Sequence, residues 1–492
     1  MYKIMNAISK ISTLVTGTLL LLCFSCRKYQ VISDTKKVNE VKVGLQANYI
    51  AYLGDTLHVV PNLSFTQDNS GDSGRYKYQW YVINLSEDGL SGTYKVPLDS
   101  TIDLTYKISL SPGNYILYFD VTDTVTGVLF HGSAPLKVTT PYYEGWLVLS
   151  DAGSAPRLDM VSYDDNFVGT LHFDVLGKLN SDLKLTGEAK NVLYHGSVYI
   201  TTTGNGTNAV DPDNFSWKST NNIRYDMLDP SIPLDFYADR FVVGGYQGQA
   251  LYSNGNVYTS YGPFFGLPIN RMKGETTNFY AEPSVTVGFY IYLYDQAKHR
   301  FAANFLIANN TSCDPLPAFG TSGAMLFDWN NTGMNLVYMD ESEYNGKEVF
   351  AILKDTVTGK FHLALFNDYG QTQDYYAEMT GTDLASATHF SINNNYGYVF
   401  YSAGSKLYEF DLGLKTSKLM ADYSPLQITN VIRNPVASQT NDLLVTLLDP
   451  SGTAGSNGIL KIYSVPPVGG SLVLHETYTG FGDIKGVTYR QR

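Results

Sequence analysis

The sequence predicts an all-β chain: a small β-sandwich over residues 39–140, followed by a much larger β-propeller over 142–492. Three observations predict it. Among 492 residues there are 39 Tyr, 24 Phe and 44 Gly, a supply of strand formers broken by turn formers. Apolar and polar residues alternate with a period of two: in Ser111 to Asp151, Tyr115, Leu117, Phe119 and Val121 interleave with Ile116, Tyr118, Asp120 and Thr122. After residue 142 almost no stretch shows a helical period, and strand pairs recur instead about every fifty residues.

Residues 1–25 read as a secretory signal. Lys3 and Lys10 form a basic start and Ile11 to Phe24 an apolar stretch of 14 residues, too short for a spanning helix. Leu22-Cys23-Phe24-Ser25-Cys26 resembles a bacterial lipobox, with Cys23 where Leu is common. It marks Cys26 as the lipidated residue, followed by a polar tether over 26–38. Several acyl chains on one residue give near-permanent anchoring, at about 0.8 kcal/mol per buried CH₂. Display on the outer cell surface resembles a rule of acidic residues after the lipidated Cys, whereas Arg27-Lys28 follow here. After cleavage only Cys26 and Cys313 remain, so no disulfide framework is available and burial must hold the domains together. The formal charge is −12, and losing Lys3 and Lys10 makes it −14. That balance argues against nucleic acid or an anionic membrane surface as a charge-driven partner.

In the first domain, strands are expected at Val41 to Val43, Thr56 to Val60, Tyr76 to Val82, Leu104 to Ile108, and around the alternating segment above. Turn signals about ten residues apart indicate a sandwich. Trp80 takes the place of the core Trp of an immunoglobulin-like domain, without a Cys pair to pack on. Gly71-Asp72-Ser73-Gly74 copies a serine-protease nucleophile motif but sits in a Ser/Gly/Asp-rich loop of a domain too small for that fold. Gly54-Asp55-Thr56-Leu57, Tyr78-Gln79-Trp80-Tyr81, Pro112-Gly113-Asn114-Tyr115 and Asp120-Val121-Thr122-Asp123 resemble the polycystic-kidney-disease (PKD) type of immunoglobulin-like domain. The WxFGDG signature is replaced by Tyr81-Val82-Ile83-Asn84 after Trp80. With the lipobox and the junction Pro141 to Asp151, most of the chain resembles the PKD-like family lipoproteins of the Bacteroidota. That resemblance implies an accessory lipoprotein of starch-utilisation-type outer-membrane uptake systems, beside a TonB-dependent transporter and its lid lipoprotein.

In the second domain, strand pairs are read near 145–163, 193–203, 237–260, 284–305, 335–366, 389–419 and 429–477. Leu251 to Ser260 is a hairpin turning at Asn254-Gly255-Asn256, and Tyr398 to Leu412 another turning at Ala403-Gly404. The recurrence fits a propeller of seven blades, with six or eight as alternatives and two or three further sandwiches as the competing architecture. Asp483 to Tyr489 is placed to complete the first blade beside Trp146 to Leu149.

No HExxH, Walker loop, nucleophile elbow, clustered Cys/His or sialidase-type Asp box is present, and Gly320-Thr321-Ser322-Gly323 lacks the GxSxG spacing. His172 and His362 read as satisfied structural histidines. Asp164-Asp165-Asn166 and, better, Asp211, Asp213 and Asn214 carry oxygen ligands suited to a structural Ca²⁺, though both are also ordinary Asx-rich turns. No other cofactor is expected. Asp340-Glu341, with Glu343 beyond, is the nearest approach to a local acidic cluster and reads as a solvated loop. Aromatic residues among turn formers are the better clue to binding: Tyr261, Phe264 and Phe265, then Tyr375 and Tyr376, then Trp217. The expected function is therefore a non-catalytic binding or assembly subunit of a TonB-dependent uptake complex, lipid-anchored in the outer membrane, with an oligosaccharide or peptide ligand. A propeller glycosidase or lyase using a carboxylate pair is the enzymatic alternative, and a purely structural subunit the third.

Overall fold

A computed structural model describes residues 39–67, 74–85, 95–164, 166–244, 248–260, 262, 264–305, 310–317, 325–435 and 441–491. The lipobox with Cys26, Tyr261, and the residues 71–73 and 320–323 lie outside the described residues. The chain divides into two compact units, the second beginning for good at Val138.

The first unit is built of β-strands. Its five-stranded sheet runs in the order Tyr49–Tyr52, Leu129–Thr139, Gly113–Asp123, Tyr76–Asn84, Lys95–Asp99. Val41–Gly44 pairs with Asn62–Phe65, and Thr56–Val59 with Leu104–Lys107. The alternation read from the sequence is the burial pattern itself: along Gly113–Asp123 the buried residues are Tyr115, Leu117, Phe119, Val121 and Asp123. Trp80 is fully buried opposite Phe119, the rings stacked at 4.1 Å, and its indole N–H donates to the Thr101 carbonyl at 3.1 Å. Each such side chain contributes about 2–3 kcal/mol by leaving water, which lets this small unit hold together without a disulfide.

In the second unit, the described residues form seven antiparallel sheets that follow one another along the chain. Sheet 1 contains Gly145–Ala152, Ala155–Tyr163 and Gly169–His172, joined by Asp483–Arg490 from the far end of the sequence. Sheets 2, 3 and 4 have three strands each and begin with Ala189–His195, Arg240–Val243 and Thr286–Val287. Sheets 5, 6 and 7 have four strands each and begin with Met334–Ser342, His389–Ile392 and Gln427–Arg433. The first strand of each sheet neighbours the first strand of the next. Gln427–Arg433 then neighbours Asp483–Arg490, which neighbours Ala189–His195, so the inner strands close a ring. This is a β-propeller rather than a row of sandwiches, and Asp483–Arg490 covers the inner edge of Gly145–Ala152 in the first sheet. Trp146 pairs with Tyr489 and Val148 with Val487 in the closing register.

The packing explains the continuous apolar runs. Each sheet is covered on both faces, so consecutive residues of one strand are buried in different clusters. Leu443, Val445 and Leu447 pack with Tyr398 and Phe400 of sheet 6, whereas Leu444 packs with Trp146 and Val148 of sheet 1. Among the described residues each neighbouring pair of sheets shares such a cluster, all the way round the ring. The Leu251 to Ser260 hairpin is as read: Asn254 (φ 44°) and Gly255 (φ 79°) are both left-handed, the primed turn that suits a two-residue connection.

Candidate functional site

Inside the ring, the inner strands of sheets 3, 5, 6 and 7 border a cavity of about 840 Å³. Its polar lining comes from the strands' own period. In Met334–Ser342, Tyr338 and Asp340 lie two apart on one face, and the Tyr338 hydroxyl donates to Asp340 Oδ2 at 3.1 Å. At the end of Gln427–Arg433, Arg433 Nη2 lies 3.4 Å from Asp340 Oδ1, and its Nη1 donates to the Glu341 carbonyl and to Asn394 Oδ1. Arg240, Glu343, Asn394, Asn395 and Asn430 add further planar polar groups, and Phe390 lies against Tyr338 with ring centroids 6.1 Å apart.

A side lobe of about 210 Å³ adjoins it, bordered by Glu341 and Lys347. Glu341 Oε1 is 2.8 Å from Lys347 Nζ. Burial pushes the Glu341 carboxyl up to about 7; Lys347 opposes the shift and the nearby Asp368 adds to it. Asp368 is itself raised by burial, against hydrogen bonds from the amides of Phe289 at 2.6 Å and Tyr290 at 3.3 Å. Gly288 admits both acids: a Cβ there would stand 2.4 Å from Asp368 Oδ2 and 2.7 Å from Glu341 Oε2.

The lining offers chemistry that can engage a neutral, hydroxyl-rich molecule. Planar carboxylate, amide and guanidinium groups can each engage two adjacent hydroxyls, and the Tyr338–Phe390 pair offers apolar ring area. Asp340 and Glu341 are each paired with a cation, which restrains their charge.

The residues singled out from the sequence are dispersed. Phe264 is 53% exposed, but Phe265 is buried with Phe241, Leu251 and Tyr258, which corrects its reading as a contact residue. The Phe265 amide and carbonyl are bound to Asp226 and Leu228, which fixes the loop so that its second Phe points inward. Tyr375 and Tyr376 are half-buried on the outermost strand of sheet 5 and face opposite ways. Tyr375 packs toward sheet 6, and Tyr376 stacks on Phe327 at 5.0 Å and His362 at 5.3 Å. They form no common patch and lie away from the cavity. Trp217 packs half-buried on the core between sheets 1 and 2, its indole N–H on Asn208 Oδ1 at 3.1 Å.

Asp211 Oδ1 accepts from the amides of Asp213 and Asn214 at 2.9 and 3.0 Å, an Asx turn. Asp213 Oδ1 is held at 2.6 Å by the fully buried Arg490. Among the described residues no group of three His, Cys, Asp or Glu side chains is gathered. The acidic cluster is corrected in the other direction. Asp340 and Glu341 are strand residues with side chains 14% and 13% exposed, bordering the cavity, rather than parts of a solvated loop. Sequence reasoning missed Arg433, Asn394 and Lys347; the available signal was charge closing an otherwise strand-like run, in YMDE and NVIR.

No curated protein matches the sequence. A quinoprotein alcohol dehydrogenase-like protein from Bacteroides thetaiotaomicron is similar in structure, at 13% identity and a TM-score of 0.45 over 91% of this chain and 99% of its own. The extracellular domain of a one-component system protein from the same species gives 10% identity and a TM-score of 0.38 over 91% of this chain and 70% of its own. A PKD domain of a human protein aligns with 22% of this chain and 87% of its own, at 19% identity and a TM-score of 0.16. The model of the PKD-like family matches residues 33–188, a stretch that takes in the described first unit and the three N-terminal strands of sheet 1 rather than most of the chain.

Proposed function

We propose that the protein is a lipid-anchored, non-catalytic subunit of an outer-membrane nutrient-uptake complex, and that its propeller holds an oligosaccharide in the cavity inside the ring. The observation that carries the binding half is the cavity itself: about 840 Å³, bordered by Tyr338, Asp340, Phe390, Asn394 and Arg433 from three different sheets. Preformed concavity with a few convergent polar groups is what small-ligand sites share. The anchoring half rests on Leu22 to Cys26, and the pairing with a TonB-dependent transporter and lid lipoprotein on the family resemblance. Gentle detergent extraction from the native outer membrane, followed by mass spectrometry, tests the assembly. The expected result is a transporter and lid lipoprotein in comparable amounts; recovery of the protein alone contradicts it. A glycan array presented beside a peptide array tests the ligand class, with retention on peptides alone counting against an oligosaccharide.

One observation favours a second reading. A carboxyl raised to about 7, as Glu341 is, can act as a general acid near neutral pH, as a glycosidase requires. Cleavage of an array-selected glycan by the wild-type chain, lost in Glu341→Gln, would establish that reading in place of simple binding.

A further inference from the structure

We infer that the groove between sheets 7 and 1 is a second sugar subsite, which takes the continuation of the same uncharged glycan chain held in the cavity. This rests on the oligosaccharide reading above. The groove has a volume of about 460 Å³. Its floor is aromatic: the Tyr489 ring meets Trp146 edge-on at 4.7 Å, and Tyr163 lies 6.4 Å from Tyr489. Its walls are polar and already ordered. Tyr163 and Tyr478 both donate to Glu476 Oε2, Tyr478 at 3.1 Å. His475 Nε2 bonds Ser464 Oγ at 2.8 Å, and Ser464 in turn donates to Asp442 Oδ1 at 2.9 Å.

What the network leaves over points to a ligand. Among the described residues nothing bonds Glu476 Oε1 or Asp442 Oδ2, and the indole N–H of Trp146, a side chain only 2% exposed, has no partner. Two acceptors and a donor beside aromatic rings are what a sugar ring needs: its hydroxyls bond and its C–H face packs. No Lys or Arg borders the groove, so an uncharged sugar suits it and a uronic or sulfated one does not. At the rim stands Phe167, 77% exposed and held at φ 59°, a costly left-handed conformation for a bulky residue.

The groove and the cavity each border one member of a hydrogen-bonded amide pair. Asn395 borders the cavity and Asn441 the groove, and Asn395 Nδ2 donates to Asn441 Oδ1 at 2.9 Å. In this proposal a glycan held in the cavity extends over this amide pair into the groove.

The test is calorimetric titration of the full chain with a neutral oligosaccharide selected on the array and with the disaccharide cut from it. Wild type is compared with Glu476→Gln, Phe167→Ala and Arg433→Gln, each checked for an unchanged melting profile. Phe167→Ala removes an exposed ring and keeps the test open if Glu476→Gln fails to fold. The expected result is about tenfold weaker binding of the long glycan in each groove variant, unchanged disaccharide binding there, and weakening of both ligands in Arg433→Gln. If Arg433→Gln weakens both ligands and the groove variants neither, the second subsite is refuted while the cavity reading stands. If no oligosaccharide binds wild type, the cavity reading itself fails and this inference with it.

Discussion

Asp213 shows how a single residue changes meaning between sequence and structure. As DPDN it reads as an oxygen ligand; in the fold it neutralises Arg490, which is 0% exposed and whose Nη1 also donates to the Tyr142 carbonyl. Burial pulls the Arg490 guanidinium down to about 10, a sign of how little water reaches it. Removing one partner of a buried pair strands the other charge, so Asp213→Asn is expected to cost about 3 kcal/mol in denaturant unfolding. A chelator is expected to leave the wild-type melting temperature unchanged. A fall on chelation would instead support a bound cation.

Three buried acids make stability depend on pH. Burial raises Glu348 to about 9, helped by Asp374 beside it, and raises Glu341 and Glu409 to about 7 each, from an ordinary value of 4.5. Between 4.5 and these values the folded chain holds protons that the unfolded chain releases, so stability falls as pH rises. The melting temperature of the second unit is therefore expected to be higher at pH 6 than at pH 8.5. Glu348→Gln should flatten that dependence most, because its window reaches highest. An equal or rising melting temperature toward pH 8.5 would contradict the assignment.

At the scale of elements, the closing strand Asp483–Arg490 holds the ring together by pairing with Gly145–Ala152 along its whole length. Deleting it exposes the edge of sheet 1 and opens the cluster that Trp146, Val148 and Val161 share with Leu444 and Leu460. A chain ending at Phe481 is expected to lose cooperative unfolding of the second unit and to aggregate, measured by calorimetry and light scattering. Retention of a sharp transition would show that closure is dispensable. This strand was legible as the run DIKGVTY, read as completing the first blade beside Trp146 to Leu149. Lys95–Asp99 was not, because it carries Pro97 and is mostly exposed on the sheet's edge, so it leaves no apolar period to read.

At the scale of the whole molecule, architecture was legible and the site was not, for one physical reason. Burial leaves its trace along a single strand, as in Tyr115 to Val121 or Trp146 to Leu149, so local pattern reports it. The cavity gathers residues far apart in sequence, Arg240, Tyr338, Asp340, Asn394 and Arg433, one or two from each of four sheets. No spacing rule connects them until the ring closes. The aromatic loops drew attention because they are local, and most of their rings turned out to pack the sheets.

The central claim, that the cavity binds an uncharged glycan without altering it, is tested most directly by one titration. Wild type and Arg433→Gln would be titrated with the oligosaccharide selected on the array, and the ligand recovered for mass spectrometry. The account predicts saturable binding to wild type, about tenfold weaker binding to Arg433→Gln with its fold intact, and a ligand recovered uncut. Equal binding by both chains would move the site elsewhere, and a cleaved ligand would make the protein an enzyme.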